Sequence, residues 1–334
     1  MLFAASAAYG QIEIRVSVKF ILDAAGKLPT RSGGYGAQGT PLTSHQAVVD
    51  QFTRANQILA NTGRGYHYRM TEILDISGVS QWFETAARDA GNRNDLESAA
   101  IGDPGRYKWR TDSLNVYINN SGSGVCSFPG DHSLIFLGAN AYDSLFCHEA
   151  GHFFNLKHTH EGESGCADNC GCGDTKNPGN SDSCADTLPD HECWGRDQIS
   201  QGSFGPLNYN QLDDGRKYQV DNVFLNVMSY HLPQDRFTSD QLDRFTDAAN
   251  SARNYAVTGH TRFVDRNNGC LLPDGSSSCG FLFGGPYHGV RDGVNNANGN
   301  DVVLIRPGQY KEPGAYTRAC TLRATRGWVT LGTP

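Results

Sequence analysis

Three histidines within eleven consecutive residues place the tightest constraint on how this chain folds. Residues 148–158 read HEAGHFFNLKH, so His148 and His152 are four residues apart and His158 follows six residues later. Helical residues four apart lie one turn apart on the same face, so both imidazoles can reach one ion. A continuous helix would carry His158 away, so the chain must turn sharply before it. Asn155 lies where that turn falls, and asparagine, after glycine, is the residue that most often ends a helix in the left-handed conformation.

This spacing predicts a zinc site with a catalytic carboxylate. Neutral imidazoles are ligands that zinc prefers, at roughly 2.0–2.1 Å. Glu149 directly follows the first histidine, and a carboxylate there can take the proton of an activated water as it attacks a carbonyl. An H-E-x-x-H sequence also occurs in ordinary amphipathic helices, but the third histidine favours the metal site. His160 and His231 have no such spacing, and we predict that they lie on the surface or around the site without binding metal.

The segment resembles the long zinc motif of the metzincin metallopeptidases, H-E-x-x-H-x-x-G-x-x-H. It departs from that motif at Asn155, which replaces the usual glycine and can make the same turn. Metzincins also carry a methionine turn beneath the metal, and residues 226–230 read NVMSY, with Met228 as the methionine. Taken alone, Met228 would be interpreted equally well as a core-filling residue. Together with the zinc motif, it indicates a metzincin.

Within the metzincins, the chain is most similar to the pappalysin family, which includes cytophagalysin- and ulilysin-like enzymes. Members of that family resemble this chain in a tyrosine two residues after the methionine, here Tyr230. They also have a polar, cysteine-bearing stretch with a D-T-P-like signature, and residues 186–189 read DTLP, with Leu188 inserted. The F-T-x-x-Q start of the closing helix matches residues 237–241. The resemblance covers roughly residues 11–258.

The resemblance implies an α+β fold with a cleft. An upper subdomain of twisted mixed sheet and helices would end at the zinc helix, and an irregular lower subdomain would hold the methionine turn. Residues 133–137 would form the edge strand beside the cleft, where an extended peptide can add by main-chain hydrogen bonds. Tyr230 would bind zinc or donate a hydrogen bond to the oxyanion, the alternative being a buried core tyrosine. Asp235 would favour a basic substrate side chain or lie on the surface.

The periodicity of apolar residues outlines the elements around this motif. Alternation predicts strands at residues 11–22, 66–76, 113–118 and 133–137, and helical spacing predicts helices at residues 43–60, 81–100, 143–156 and 239–249. Ser44 is the predicted N-cap of the first helix, and Thr238 with Gln241 forms a predicted capping box before the last. Strands alternate with helices and are followed by irregular sequence, which predicts the α+β class.

Three parts follow from this organisation. Residues 1–10 are a candidate signal remnant, residues 11–259 a metzincin-like zinc peptidase domain, and residues 260–334 a small β-rich segment. The last segment resembles the opening of a right-handed β-helix, with a short helix predicted at residues 290–298 and strands at 301–306, 320–324 and 328–331. A solenoid needs several coils to bury its core, so this segment is a truncated module or packs against the peptidase domain. Carbohydrate contact by this segment is a further hypothesis.

Ten cysteines indicate an oxidising compartment and therefore a secreted protein. Five of them crowd a polar stretch that cannot bury a core: Cys166, Cys170, Cys172, Cys184 and Cys193. Their spacing does not match a zinc ribbon, which favours disulfides over a cysteine-bound zinc. Cys270 and Cys279 are predicted to close a second loop. Cys126, Cys147 or Cys320 would pair with the odd member of the crowded group or stay free.

The first residues, the net charge and the lack of long apolar runs bear on where the protein acts and what it binds. The first residues, MLFAASAAYGQ, read equally as the end of a signal peptide or as residues added for expression. The net charge of −7 and the absence of a basic stripe argue against nucleic acid as a partner, and no apolar run reaches the roughly 18 residues that span a bilayer.

Between His160 and Cys193 lie eight Asp or Glu residues and one Lys. The resembled family binds calcium here, and a structural Ca²⁺ site is weighed equally against a solvated acidic loop.

These patterns predict a secreted zinc metalloendopeptidase that acts on protein or peptide substrates, with Glu149 as general base. One alternative is a zinc hydrolase of non-peptide amides or esters. Another is an adhesion or carbohydrate-binding protein whose peptidase domain is inactive, although the intact Glu149 argues against it. The natural substrate and the cleavage preference do not follow from the sequence.

Overall fold

The chain belongs to the mixed α and β class, as the sequence predicts. The computed structural model describes residues 12–129, 134–162, 179, 181–279, 284–312, 314–325 and 327–332. These residues form eight α-helices and ten β-strands. No helix among them has the length and apolarity that crossing a bilayer requires. The candidate signal remnant at residues 1–10 and the cysteines Cys166, Cys170 and Cys172 lie outside the described residues.

The main sheet has five strands. They are β1 (Ile12–Ile21), β2 (Tyr66–Ile76), β3 (Leu114–Gly122), β4 (Gly124–Cys126) and β5 (Leu134–Asn140). Their order is β2, β1, β3, β5, β4, and all neighbours are parallel except β4, which is antiparallel to β5. The last six residues of β1 are all buried, which is typical of a central parallel strand covered on both faces.

The first helix covers one face of this sheet. Helix α1 (His45–Thr62) begins at the predicted N-cap, where the Ser44 hydroxyl accepts a hydrogen bond from the backbone N–H of Ala47 at 3.2 Å. Its buried side chains recur at helical spacing and join the main core. Phe52 of α1 stacks on Phe146 with ring centroids 4.2 Å apart. This contact fixes α1 against the helix that carries the first two histidines.

The helix predicted over residues 81–100 is wrong in its first half. Helix α2 spans only Ala90–Gly102. The carbonyls of Trp82 and Thr85 instead accept hydrogen bonds from the side-chain amide of Asn119 in β3, at 2.7 and 2.6 Å. These tertiary hydrogen bonds satisfy backbone groups that a helix would have paired internally, and no periodicity in the sequence reports them.

The edge of the sheet also differs from the prediction. The strand predicted at residues 133–137 is β5, which is interior because it pairs with β3 on one side and β4 on the other. The edge strand beyond it is β4, which was not predicted. An added Cβ on Gly124 of β4 would lie 2.7 Å from Leu137 Cδ2 and 3.1 Å from Glu149 Oε1. A side chain at residue 124 would therefore force Leu137 to shift, and glycine allows the edge to approach the predicted site without that shift.

The middle of the chain has long connections between short helices. Helix α4 carries the first two histidines and is shorter than the predicted helix at residues 143–156. The helices of this part are α3 (Pro104–Tyr107), α4 (Leu145–Phe153), α5 (Arg196–Phe204), α6 (Asp214–Phe224) and α7 (Ser239–Asn250). Helix α7 begins with the predicted capping box of Thr238 and Gln241. Helices α5 and α6, which were not predicted, share a small core of Ile199, Leu212, Val220 and Val223.

The last part of the chain is a second, parallel β structure. Its elements are β6 (Thr261–Val264), α8 (Val290–Asn295), β7 (Val302–Ile305), β8 (Gly308–Tyr310), β9 (Thr321–Ala324) and β10 (Val329–Leu331). Strands β6, β7 and β9 form one parallel sheet, and β8 pairs in parallel with β10. Val302 is part of the main core, so this part packs against the rest of the chain. The predicted Cys270–Cys279 disulfide closes one of its loops.

Candidate metal centre

Three histidine side chains converge at the end of α4. His148 and His152 are buried on one face of this helix. Nε2 of His158 lies 3.3 Å from Nε2 of His148 and 3.0 Å from Nε2 of His152. The structure therefore brings the three predicted ligands together. Among the described residues, no other set of three His, Cys, Asp or Glu side chains converges closely enough to hold a metal.

Asn155 makes the turn that returns the chain to the helix. Its φ angle is 70°, in the left-handed region that asparagine tolerates better than most side chains. Its backbone N–H donates to the carbonyl of His152 at 2.9 Å, and Nη2 of Arg244 donates to the Asn155 carbonyl at 2.9 Å. These hydrogen bonds end the helix and direct His158 back towards the first two histidines.

Hydrogen bonds on the outer side of two imidazoles fix how their nitrogen atoms are presented. Nδ1 of His148 lies 2.6 Å from the carbonyl oxygen of Val227, and Nδ1 of His152 lies 2.7 Å from that of Leu156. A carbonyl only accepts, so each Nδ1 carries the hydrogen and each Nε2 presents a lone pair. A hydrogen on Nε2 of His158 could reach only one of these lone pairs, whereas one cation satisfies all three nitrogens. The donor set therefore fits a divalent metal.

Burial keeps these imidazoles neutral. Desolvation, with a smaller effect of neighbouring His152, lowers the pKa of His148 to about 3. Desolvation also lowers the pKa of His152 to about 4. The pKa of His158 is lowered by desolvation too, and the other two imidazoles add to the effect. Because neutral imidazole is the form that binds zinc, these histidines need not lose protons to bind metal at neutral pH.

Glu149 is a buried carboxyl group on α4, next to the first histidine. Desolvation raises its pKa to about 8, although a hydrogen bond with the backbone of Cys126 in β4 opposes the rise. Its Oε2 atom has no hydrogen-bond partner among the described residues. A buried polar atom without a partner is costly. A bound group that supplied a partner to this carboxyl group would therefore be favoured.

A cleft of about 670 Å³ opens over the three histidines and Glu149. This volume is in the range of ligand-binding sites. Its lining includes the edge of the sheet at residues 123–126 and, from the methionine segment and the residues after it, Tyr230, Leu232 and Gln234. Tyr35, Phe128, Tyr142 and Leu145 add apolar surface. The edge strand therefore lies along the cleft, as the resemblance implies, but that strand is β4.

Charged side chains also border this cleft. They are Arg88 and Glu161. Asp235 borders a different, smaller cavity of about 250 Å³ and pairs with Arg236 at 2.6 Å. Asp235 therefore does not line the cleft over the three histidines, which favours the surface alternative over a role in substrate selection.

Met228 lies directly beneath α4. It is fully buried, and its Sδ atom occupies the space that a side chain on Gly151 would need. Its backbone carbonyl accepts a hydrogen bond from the N–H of Thr159 at 3.1 Å. The preceding carbonyl, of Val227, accepts the hydrogen bond from His148. This segment therefore contacts the elements that carry the first and the third histidine.

Tyr230 lies at the rim of the cleft. Its side chain is 50% exposed, so the alternative of a buried core tyrosine is wrong. The centroid of its ring lies 4.8 Å from that of His158 and 5.9 Å from that of His148. The phenol is therefore close to any molecule that binds beside the three histidines.

Two further histidines are buried around the site, and the surface interpretation is wrong for both. His160 is 6% and His231 is 7% exposed. His160 stacks on His158 with centroids 4.8 Å apart and an interplanar angle of 9°. Desolvation lowers the pKa of His160 to about 4, and the charge of Asp190 opposes this. His231 pairs with Asp190, an unpredicted residue in an irregular segment where neither periodicity nor motif spacing could have indicated it.

The acidic, cysteine-rich stretch is only partly described. Glu163, Asp168 and Asp174 lie outside the described residues, so the calcium site stays a prediction. Cys193 is disulfide-bonded, whereas Cys184 is a buried free thiol. The expectation that the crowded cysteines are cross-linked is therefore wrong for Cys184. The other free thiols among the described cysteines are Cys126, Cys147 and Cys320.

Comparison with known proteins adds little. No protein-family model and no curated protein matches this sequence. Chains of solved structures do match, and one of them is described as "Structure of a chaperone-substrate complex". That chain is 13% identical with a TM-score of 0.32, and the match covers 45% of this chain and 24% of that one. A likeness at this level supports no inference about family or function.

Proposed function

We propose that this chain is a zinc-dependent endopeptidase of the metzincin clan, similar to the pappalysins. The observation that carries the proposal is the position of Nε2 of His158, within 3.3 Å of the same atom in His148 and His152. Three histidine ligands with an open fourth position are the donor set of catalytic zinc sites. The turn at Asn155 and the packing of Met228 beneath α4 support the resemblance to metzincins.

Zinc would supply Lewis acidity, which polarises a carbonyl and lowers the pKa of water. The side chains of the protein would carry out the remaining steps. Glu149, which lines the cleft, removes the proton of the attacking water and passes it to the leaving amine. The carboxylate form of Glu149 is the form that accepts this proton, and a neighbouring zinc ion would oppose the rise in its pKa that burial causes.

Tyr230 and β4 account for substrate binding in this proposal. The half-exposed phenol of Tyr230 donates a hydrogen bond to the oxygen that becomes negatively charged during attack. Strand β4 pairs only with β5 among the described residues, so its outer edge can bind an extended peptide by main-chain hydrogen bonds. An edge strand along the cleft favours a peptide substrate over a small ester or amide.

We further propose that the protein is secreted. The Cys270–Cys279 disulfide and the bonded Cys193 support an oxidising compartment. A structural calcium ion in the acidic stretch and carbohydrate contact by the last 75 or so residues (about 260–334) remain proposals that rest on the sequence resemblances.

Digestion assays test the function directly. The full chain, supplied with zinc and calcium, should hydrolyse casein and a fluorogenic peptide library, and a chelator or Glu149→Gln should abolish this activity. Hydrolysis of small esters without peptide cleavage would favour the non-peptide hydrolase. A zinc-loaded chain that cleaves neither, but binds immobilised polysaccharide, would favour the adhesion protein.

A further inference from the structure

The carboxylate of Asp190 links two chain segments, one directly after His158 and one directly after Tyr230. Asp190 is 0% exposed. Its Oδ2 accepts a hydrogen bond from the hydroxyl of Thr159 at 2.6 Å, and its Oδ1 lies 2.9 Å from Nε2 of His231. Because a carboxylate only accepts, Nε2 of His231 donates. Both oxygens therefore hold side chains that are themselves buried.

The two partners of Asp190 are the immediate neighbours of two site residues. Thr159 directly follows His158, and His231 directly follows Tyr230. The ring of His231 is fixed on its other face by stacking on Phe224, with centroids 4.9 Å apart and an interplanar angle of 7°. A carboxylate bonded to both neighbours restricts the movement of one segment relative to the other.

Three aromatic rings pack together beside this link. The rings of His158 and Tyr230 lie edge to face with centroids 4.8 Å apart, and His160 packs against both rings. Aromatic packing of this kind tolerates sliding, whereas two short hydrogen bonds to one carboxylate fix direction and distance. Burying a carboxylate is costly unless hydrogen bonds compensate for it, and here both hydrogen bonds are directed to the site segments.

We propose that Asp190 is a positioning residue that holds the Tyr230 phenol in place relative to His158. It does not line the cleft, and its hydrogen bonds to Thr159 and His231 carry this role. The inference rests on the proposed function. In that reaction Asp190 governs how well the phenol meets the developing negative charge, and it leaves the binding of the peptide unaffected.

A double-mutant cycle tests the link to Tyr230. Asp190→Asn should lower kcat about 10–100-fold, the range found when residues that orient the groups of a metal site are removed, with KM within about 3-fold of wild type. In a Tyr230→Phe background the same change should cost less than about 3-fold more, because the phenol it positions is already absent. If the loss of kcat in the double variant equals the product of the two single losses, the two residues act independently, and the inference is overturned.

Cobalt supplies a readout that does not depend on activity. With Co²⁺ added to the metal-free full chain, Asp190→Asn should shift the visible absorption bands of the bound ion, since Thr159 directly follows the third ligand, His158. The matched control is Asp301→Asn, another buried aspartate beside a histidine but outside the cleft, and it should leave the bands unchanged. An unchanged spectrum in Asp190→Asn would contradict the inference even if the wild type cleaves peptides.

The two proposals fail in different ways. If the wild type binds Co²⁺ but cleaves no peptide, the endopeptidase function is wrong, and the cobalt spectrum of Asp190→Asn still decides the role of Asp190. If the wild type binds no Co²⁺, both proposals are wrong. Should Asp190→Asn fail to fold, His231→Leu removes half of the link and His231→Gln restores a donor. The Gln variant should then recover at least part of the kcat that the Leu variant loses, and equal losses in both would overturn the inference.

Discussion

Met228 occupies the space that a side chain on Gly151 would need, so the methionine segment and α4 fit together only because residue 151 is glycine. Gly151→Ala should therefore lower the free energy of unfolding by about 1–3 kcal/mol, the usual cost of overpacking a core, and weaken zinc binding. Urea unfolding and zinc titration of the purified variant measure both effects.

The matched control for this change is Gly102→Ala. Gly102 is also helical, but an added Cβ there has no atom within 4 Å. This variant should be neutral or more stable by up to about 1 kcal/mol, the difference in helix propensity. Equal stabilities of Gly151→Ala and the wild type would show that Met228 can move aside, and that the packing beneath α4 is not specific.

The turn at Asn155 leads to a second prediction. Asn155→Gly should keep stability within about 1 kcal/mol, because glycine adopts the left-handed conformation without steric cost. Asn155→Val should lose about 1–2 kcal/mol or more, since a β-branched side chain is strained there, and should bind zinc more weakly because His158 is displaced. The two are compared by thermal unfolding and by competition for zinc with a chromogenic chelator. A Val variant indistinguishable from the Gly variant would contradict this role of the turn.

If Glu149 is the base, replacing it should slow peptide turnover without weakening zinc binding. Glu149→Gln should retain zinc but lose roughly 10²–10⁴-fold in kcat, the range for loss of a general base. Glu161→Gln, which neutralises another carboxylate bordering the same cleft, is the control and should change kcat only a few-fold. Zinc content by mass spectrometry and peptide turnover are measured on the same samples. Near-normal turnover in Glu149→Gln would show that the base is a different residue.

Lys19 in the main sheet predicts how stability changes with pH. It is fully buried, and desolvation lowers its pKa from 10.5 to about 7, with Glu72 opposing the shift. Between these values the unfolded chain binds more protons than the folded chain, so this group makes stability rise with pH from about 7 to about 10.5. Lys19→Met removes the effect, so the stability of the variant relative to wild type should be greatest below pH 7 and should fall by up to about 1.4 kcal/mol per pH unit above it.

Urea unfolding of both proteins at pH 6.5 and pH 9 provides the comparison, because groups common to both cancel in the difference. A stability difference that is the same at both pH values would mean that Lys19 titrates normally in the folded chain.

The parts of the site that could be predicted from sequence are those set by local geometry. His148 and His152 share a helix face because of their spacing, and Asn155 marks the turn because few other side chains accept its backbone conformation. Ser44 is recognisable for a similar reason, since a helix N-terminus needs a side-chain acceptor. Each of these signals involves residues within a few positions of one another.

The parts that could not be predicted depend on distant contacts. Strand β4 is three residues long, too short for an alternating pattern, and its position is defined by β5. Asp190 acquires its role only when Thr159 and His231, far from each other in sequence, fold against it. The start of α2 is delayed because Asn119 bonds to carbonyls more than thirty residues earlier in the chain, at Trp82 and Thr85.

The most direct test of the account is zinc X-ray absorption, together with zinc analysis, on the full chain. The account predicts one zinc per chain with three nitrogen ligands at roughly 2.0–2.1 Å. This signal should be lost in His152→Ala and retained in His45→Ala, in which an exposed histidine paired with Asp75 is removed. A chain that takes up no zinc, binds it through sulfur, or keeps the same spectrum in His152→Ala would contradict the central claim.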